Sequence, residues 1–310
     1  MTEKRLQVLI VGSTGDLGAL ITKHCLQNKK LCVHVLLQDP DQNKELVQQI
    51  EKEGGKVHKG DVTQPETLIE PTKNIHTVIS ALSACREKIA VDGQINLAEA
   101  AVKNGVKRLV PSDFGMNYSK FTQEEIDKFL DAKHSIKVKN HLKDKSIKIL
   151  SFWPGTIMER FFEHQEKGFC FWGEADHKLH LTTMEDLAKV VAASVENPDL
   201  EGKVVFIGNE VTIREVSDIY HKVRGGKKMP PKRLGSLKFL NELHDKNENA
   251  HDPKINKLLG FSTILFDDRS CFDAHNNKDF PQIKPTCVED FLKQNEHIHV
   301  GGPGKKSKIE

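Results

Sequence analysis

Short apolar runs alternate along this chain with longer stretches of helical periodicity. Residues 5–11, RLQVLIV, are a near-continuous apolar run ending at Gly12, the pattern of a strand buried on both faces. Leu17, Leu20, Ile21 and Cys25 then recur at helical spacing through residue 27. Further strands are predicted at 32–37, 57–61, 76–81, 108–111 and 147–152, with Pro40 and Pro111 stopping two of them. Between them the periodicity predicts helices over 42–53, closed by Gly54 and Gly55, over 91–103, closed at Asn104 and Gly105, and over the Lys-rich stretch 123–143. This alternation predicts an α/β fold, a doubly wound parallel sheet of the Rossmann kind with a second, smaller lobe.

After residue 155 the rhythm loosens. A hairpin is predicted over 169–181 around Gly173, and a helix over 182–197 with Thr183 as its cap and Asp186 in its first turn. A strand follows at 204–207, a helix opens at Thr212, and a last helix covers 286–295. The Lys-, Pro- and Asn-rich stretch 225–260 reads as surface helices and loops. The domain boundaries that follow are 1–155 for the sheet domain, with 182–222 returning to it. Residues 156–181 and 223–297 form the smaller lobe, and 298–310 a disordered tail.

Composition narrows the class. The chain has 310 residues, enough for about two domains, and 37% hydrophobic against 29% charged residues suits a folded core with a solvated surface. Lys plus Arg is 46 and Asp plus Glu 44, a net +2, which lacks the basic excess of a nucleic-acid binder. No apolar run approaches the ~20 residues of a membrane span, and the N-terminus has no cleavable signal pattern. The six Cys include no CxxC pair, so they read as reduced thiols of a cytoplasmic protein. Fifteen His without HxxxH or HExxH spacing predict no metal site.

The candidate chemistry starts at Gly12-Ser13-Thr14-Gly15-Asp16-Leu17-Gly18, between the first strand and the first helix. In a dinucleotide-binding turn Gly12 permits the tight bend, Gly15 lets the backbone approach a pyrophosphate, and Gly18 lets helix and strand pack closely. The amides of Thr14, Gly15, Asp16 and Leu17 at the helix start would face the anion. Asp61, at the end of the third strand, either accepts a hydrogen bond from an adenine amino group or forms a turn. Ser80 and Ala81 end the fourth strand and are small enough for a dinucleotide to lie across the sheet edge.

Several stretches resemble the isoflavone-reductase-like and NmrA-like proteins, an atypical branch of the short-chain dehydrogenase superfamily. They are VLIVGSTGDLG, HTVISALS, AAVKNGVKRLVPSDFGMN at 100–117, FLDAKHSIKVKNHL at 129–142, FWPGTIMERFF at 152–162 and FPQIKPTCVEDFL near the end. The resemblance implies an NADPH-binding domain and a substrate lobe with the active site between them. It also implies a catalytic lysine on the helix after PSDFG, matched here by Lys133. Read from residues alone, Lys133 is a solvated helix lysine, since Lys128, Lys137, Lys139 and Lys143 are its neighbours; it is the resemblance that makes it a site residue. The segment Pro154-Gly155-Thr156 matches one that touches cofactor and substrate in relatives. Met158, Phe161 and Phe162 after it either line an apolar pocket or pack a core.

Two departures sharpen the resemblance. The Tyr-x-x-x-Lys pair of ordinary short-chain dehydrogenases is absent: four residues after Tyr118 is Thr122, and four after Tyr220 is Arg224. Where NADPH-using relatives carry an Arg for the 2′-phosphate, this chain has Gln38, which supplies no bidentate cation. Asp39, about 20 residues after Gly18, stands where a ribose-binding carboxylate of NAD enzymes would, while Lys44 offers a replacement cation. The resemblance therefore implies NADP(H), with NAD(H) not excluded.

Two functional readings follow. One is a reductase transferring hydride to a small apolar or aromatic carbonyl or enone. The other is a non-catalytic dinucleotide sensor or regulator acting through a protein partner. Both leave monomer and homodimer open and require neither nucleic acid nor membrane.

Overall fold

The computed structural model describes residues 5–83, 86–165, 168–225, 228, 230–248 and 253–301. The chain divides into two compact units. The first comprises Met1–Phe114, Asp131–Trp153 and Leu187–Val204, the second Gly115–Leu130, Pro154–Asp186 and Val205–Glu310.

The first half of the chain runs β1 (Leu6–Val11), α1 (Asp16–Gln27), β2 (Leu31–Leu37), α2 (Lys44–Lys52), β3 (Lys56–Lys59), β4 (Thr77–Ser80), α3 (Gln94–Lys103) and β5 (Arg108–Val110). Then come α4 (Gln123–Asp127), α5 (Leu130–Leu142), β6 (Lys148–Trp153), β7 (Thr156–Ile157), α6 (Met158–Glu163), β8 (Cys170–Trp172) and β9 (Lys178–Thr182). The remainder is α7 (Met184–Val195), β10 (Gly202–Val205), β11 (Asn209–Thr212), α8 (Ile213–Arg224), β12 (Lys232–Gly235), α9 (Leu237–Glu248), α10 (Pro253–Leu265) and α11 (Val288–Gln294).

Among the described residues a seven-stranded sheet has the order β10-β6-β5-β4-β1-β2-β3. Val8 of β1 stands between Val33 of β2 and Thr77 of β4, both parallel to it. The chain therefore winds outward from β1 in one direction to β3 and in the other to β6. A doubly wound sheet opens a crevice at such a reversal, beyond the carboxyl ends of its central strands.

The apolar runs are continuous because these strands are covered on both faces. On one face Leu9, Val11, Leu36, Val78 and Leu109 pack with Leu97, Ala98 and Ala101 of α3 and Val138 and Leu142 of α5. The alternating residues Val8, Ile10, Val33 and Val35 are buried as well. On β5 the fully buried Arg108 donates to Thr77 Oγ1 and to the carbonyls of Val195, Asn197 and Leu200. It thereby satisfies carbonyls at the end of α7 that have no helical donor.

The structure corrects four expectations. Helix 123–143 is two helices, α4 and α5. Thr122 and Glu125 form a capping box at the start of α4, and its last turn tightens through Lys128 N–H to Glu125 O and Phe129 N–H to Ile126 O. Lys128 O then lies against Gly260, where a Cβ would sit 2.0 Å away. No Gly or Pro marks this break; packing imposes it over helix propensity. Residues 169–181 are not a hairpin, because β8 pairs with β12 whereas β9 pairs with β11 and β7. Gly173, at φ 72°, directs its N–H to Gly235 O instead.

Residues 115–130 and 205–222 belong to the second unit, not the first. Asn117 donates to Cys271 O, and Glu125 takes both Arg269 amino groups. Asn276 and Asn277 accept from Val205 and Ile207 N–H. The strand expected at 204–207 is β10, ending at Val205. Finally, Val300 is buried and its N–H donates to Tyr220 Oη at 2.9 Å, so residues 298–301 are ordered. Residues 302–310 of the expected tail lie outside the described residues.

Candidate functional site

The turn after β1 sits at the sheet reversal, and its three glycines answer to different constraints. Gly12 has φ +94°, and a Cβ there would lie 2.5 Å from Ala81 O. A Cβ at Gly18 would lie 2.0 Å from Gly12 O, so helix α1 can cross the turn only with glycine there. Gly15 is different. Its backbone is extended, at φ −86° and ψ 163°, and a Cβ would meet only Gly12 O at an ordinary 3.5 Å. The protein's own packing does not require glycine at this position, and Thr14, Gly15 and Asp16 are exposed.

Gly15 is also the N-cap of α1 and caps it with no side chain. No N-cap side chain covers the start of the helix, and the helix dipole favours an anion there. Ser80 stands opposite Val11 in register, and Ala81 N–H donates to Val11 O. Ser13 and Ser80 flank the turn with buried hydroxyls that have no partner among the described residues. Buried polar atoms without partners are rare. Two beside an open, uncapped helix start fit a site that receives a polar ligand.

The ends of β2 and β3 meet through side chains. Gln38 Nε2 donates to Asp61 Oδ2 at 2.8 Å, and Asp61 Oδ1 accepts from Thr63 N–H and hydroxyl, each at 2.8 Å. Burial pushes the Asp61 carboxyl up, but the Thr63 donors, Gln38 and the Lys88 charge together hold it below its ordinary value. Asp39 accepts from Asp41 and Gln42 N–H. One oxygen of its carboxylate thus closes its own turn. Lys44 opens α2 and is exposed.

Lys133 is half-buried on α5. The other lysines of that helix are held by acids from elsewhere in the first unit: Lys137 by Glu87, and Lys139 by Asp113. Glu99 of α3 takes His141, in the last turn of α5, and Lys145 just beyond it. Among the described residues Lys133 alone of the α5 lysines makes no ion pair, although its charge is among those that lower the Glu87 carboxyl. Sequence reasoning missed Ser112 and Asp113. Ser112 N–H donates to Gln94 Oε1 and its hydroxyl to Leu82 O. Asp113 accepts from Trp153 Nε1 at 2.9 Å as well as from Lys139. The PSDFG string was the available signal.

Pro154, Gly155 and Thr156 belong to the second unit and pack there. Pro154 O accepts from Thr182 Oγ1 at 2.6 Å. Gly155 has φ +75°, and a Cβ would lie 2.4 Å from His180 O. Thr156 pairs with Leu181. Met158, Phe161 and Phe162 are buried, with Phe162 stacked on Phe291 and edge-on to Phe161 and Phe169. They are core residues of that unit.

A family model described as the NmrA-like family matches residues 4–292. The chain belongs to the NmrA-like family. This NmrA-like chain is 24% identical to pinoresinol reductase 2 of Arabidopsis thaliana, over 94% of the chain and 97% of that relative. It is 23% identical to eugenol synthase 1 of Petunia hybrida, over 94% and 99% of the two chains. The solved structure of AtPrR2 with NADP+ and (+)-pinoresinol aligns with a TM-score of 0.79 at 21% identity, over 94% and 99% of the two chains. That likeness carries the Rossmann fold. Among the described residues no helix is long and apolar enough to cross a membrane.

Proposed function

We propose that this NmrA-like protein is an NADPH-dependent reductase of the isoflavone-reductase-like type, with Lys133 as its catalytic residue. Its substrate is a small apolar or aromatic carbonyl or enone. The observation that carries the reading is that Lys133 makes no ion pair on a helix whose other lysines are paired. The relatives named as reductases, and the solved structure of AtPrR2 with NADP+ and (+)-pinoresinol, support it.

In this reading the turn Gly12–Gly18 and the start of α1 hold the pyrophosphate, with the open face of Gly15 against it. Ser80 and Ala81 bound the site at the end of β4, and Asp61 lies toward the adenine. Asp39 Oδ1 is engaged by the amides of its own turn. Lys44 supplies the cation that Gln38 does not. The bound coenzyme supplies the hydride. Lys133 then donates a hydrogen bond or proton to the substrate oxygen as negative charge develops there. The protein works in the cytoplasm.

Calorimetry with NADPH, NADP+, NADH and NAD+ tests the coenzyme part. The expected result is tightest binding of the phosphorylated pair, with Lys44→Ala narrowing its advantage about tenfold, or ~1.4 kcal/mol. Equal binding of NADH and NADPH, or no binding of either, contradicts it.

A further inference from the structure

We propose that Asp113 is a positioning residue that sets α5 against the carboxyl ends of β5 and β6 and thereby fixes the place of Lys133. This rests on the reading of Lys133 given above. The Asp113 side chain is 3% exposed and its partner Lys139 25%. The neighbouring pair of Lys137 with Glu87 is exposed at 45% and 57%. An exposed pair contributes roughly 0–1 kcal/mol and can break and re-form freely. A buried carboxylate is costly to desolvate, and its pairing seldom stabilises more than apolar packing would. What such a pair does supply is a fixed geometry.

Here the geometry joins three elements of the first unit. Asp113 lies just past the end of β5. Trp153, whose Nε1 donates to it at 2.9 Å, is the last residue of β6. Lys139 comes from α5. Lys203 Nζ lies 4.4 Å from the centroid of the Trp153 ring and Lys139 Nζ 5.1 Å, so the indole is held through its face as well as its edge. The apolar residues of α5, Val138 and Leu142, fix which face of the helix is buried. Apolar contacts tolerate a slide along the helix axis, whereas a carboxylate held by two donors does not.

Lys139 and Lys133 are six residues apart on one helix, about 9 Å along its axis. Anchoring Lys139 therefore anchors Lys133. A shift of ~1 Å takes a side chain out of productive geometry.

The test is the response of Lys133 to NADP+ in protein labelled with ¹³C-lysine, its Cε–Hε signal assigned by Lys133→Arg. In the unmodified chain the Lys133 signal is expected to move on saturation with NADP+. In Asp113→Asn, and independently in Lys139→Met, that movement is expected to fall below half, with the Kd for NADP+ changed no more than about threefold. The exposed-pair control Glu99→Gln is expected to keep the full movement. A merely structural role for the pair would lower thermal stability and leave the Lys133 response intact. If both variants keep the full response, the positioning role is overturned and the reading of Lys133 survives. If Lys133 does not respond in the unmodified chain, that reading falls and the positioning role with it. Should Asp113→Asn fail to fold, Lys139→Met carries the comparison.

Discussion

Alanine at Gly18 would force a methyl carbon to 2.0 Å from the Gly12 carbonyl, whereas alanine at Gly15 meets nothing closer than 3.5 Å. The two substitutions should therefore separate folding from binding. Gly18→Ala is expected to cost roughly 2 kcal/mol or more in urea unfolding, because backbone must move. Gly15→Ala should stay within about 0.5 kcal/mol of the parent yet weaken NADPH at least about tenfold. Equal NADPH affinity in Gly15→Ala and the parent would mean that the open face of the turn receives no phosphate. At this scale the spacing of the glycines was legible in the sequence, because the turn is local. The contact between Gln38 and Asp61 was not, since the two residues meet only when β2 and β3 align. Nor was the absence of an ion pair at Lys133: the acids that hold its neighbours come from the β4–α3 connection, from α3 and from the PSDFG segment.

Pairs of elements carry their own chemistry. His34 on β2 and His58 on β3 are joined Nδ1 to Nε2 at 2.8 Å, and His34 Nε2 meets Gln7 Oε1 on β1 at 2.9 Å. Burial, then the His58 and Lys56 charges, push His34 down to about 4. Burial and Lys56 also lower His58, against an opposing pull from Glu70. Both residues bind protons more weakly folded than unfolded, so their contribution is complete above pH 6.5 and is lost as pH falls from there toward 4. Urea unfolding across that window should show stability falling with pH, by on the order of 2 kcal/mol from this chain. His34→Leu should flatten the slope, and an unchanged slope in that variant would exclude the pair as its source. The strands and helices themselves were readable from periodicity, because each buries a regular face. The break at Lys128 and Phe129 and the separation of β8 from β9 were not. Both depend on partners, Gly260 and Gly235, far along the chain.

For the whole molecule, a near-balanced charge suits a protein whose proposed anion site is a helix start, which needs no basic surface. The alternation of strands and helices gave the first unit, and the resemblance covered nearly the full chain. The course of the second unit was harder to read, because its segments are scattered in sequence and held by side chain to backbone bonds such as those of Asn117, Asn276 and Asn277. The central claim is that this fold moves a hydride under the control of Lys133. Its most direct test is incubation of the protein with NADPH deuterated at C4 and a panel of aryl carbonyls, enones and pinoresinol, followed by mass spectrometry of the products. The expected product is one deuterium heavier, formed at least about 100-fold more slowly by Lys133→Ala. Tight binding of NADPH with no label transferred to any substrate, or transfer undiminished in Lys133→Ala, would contradict it.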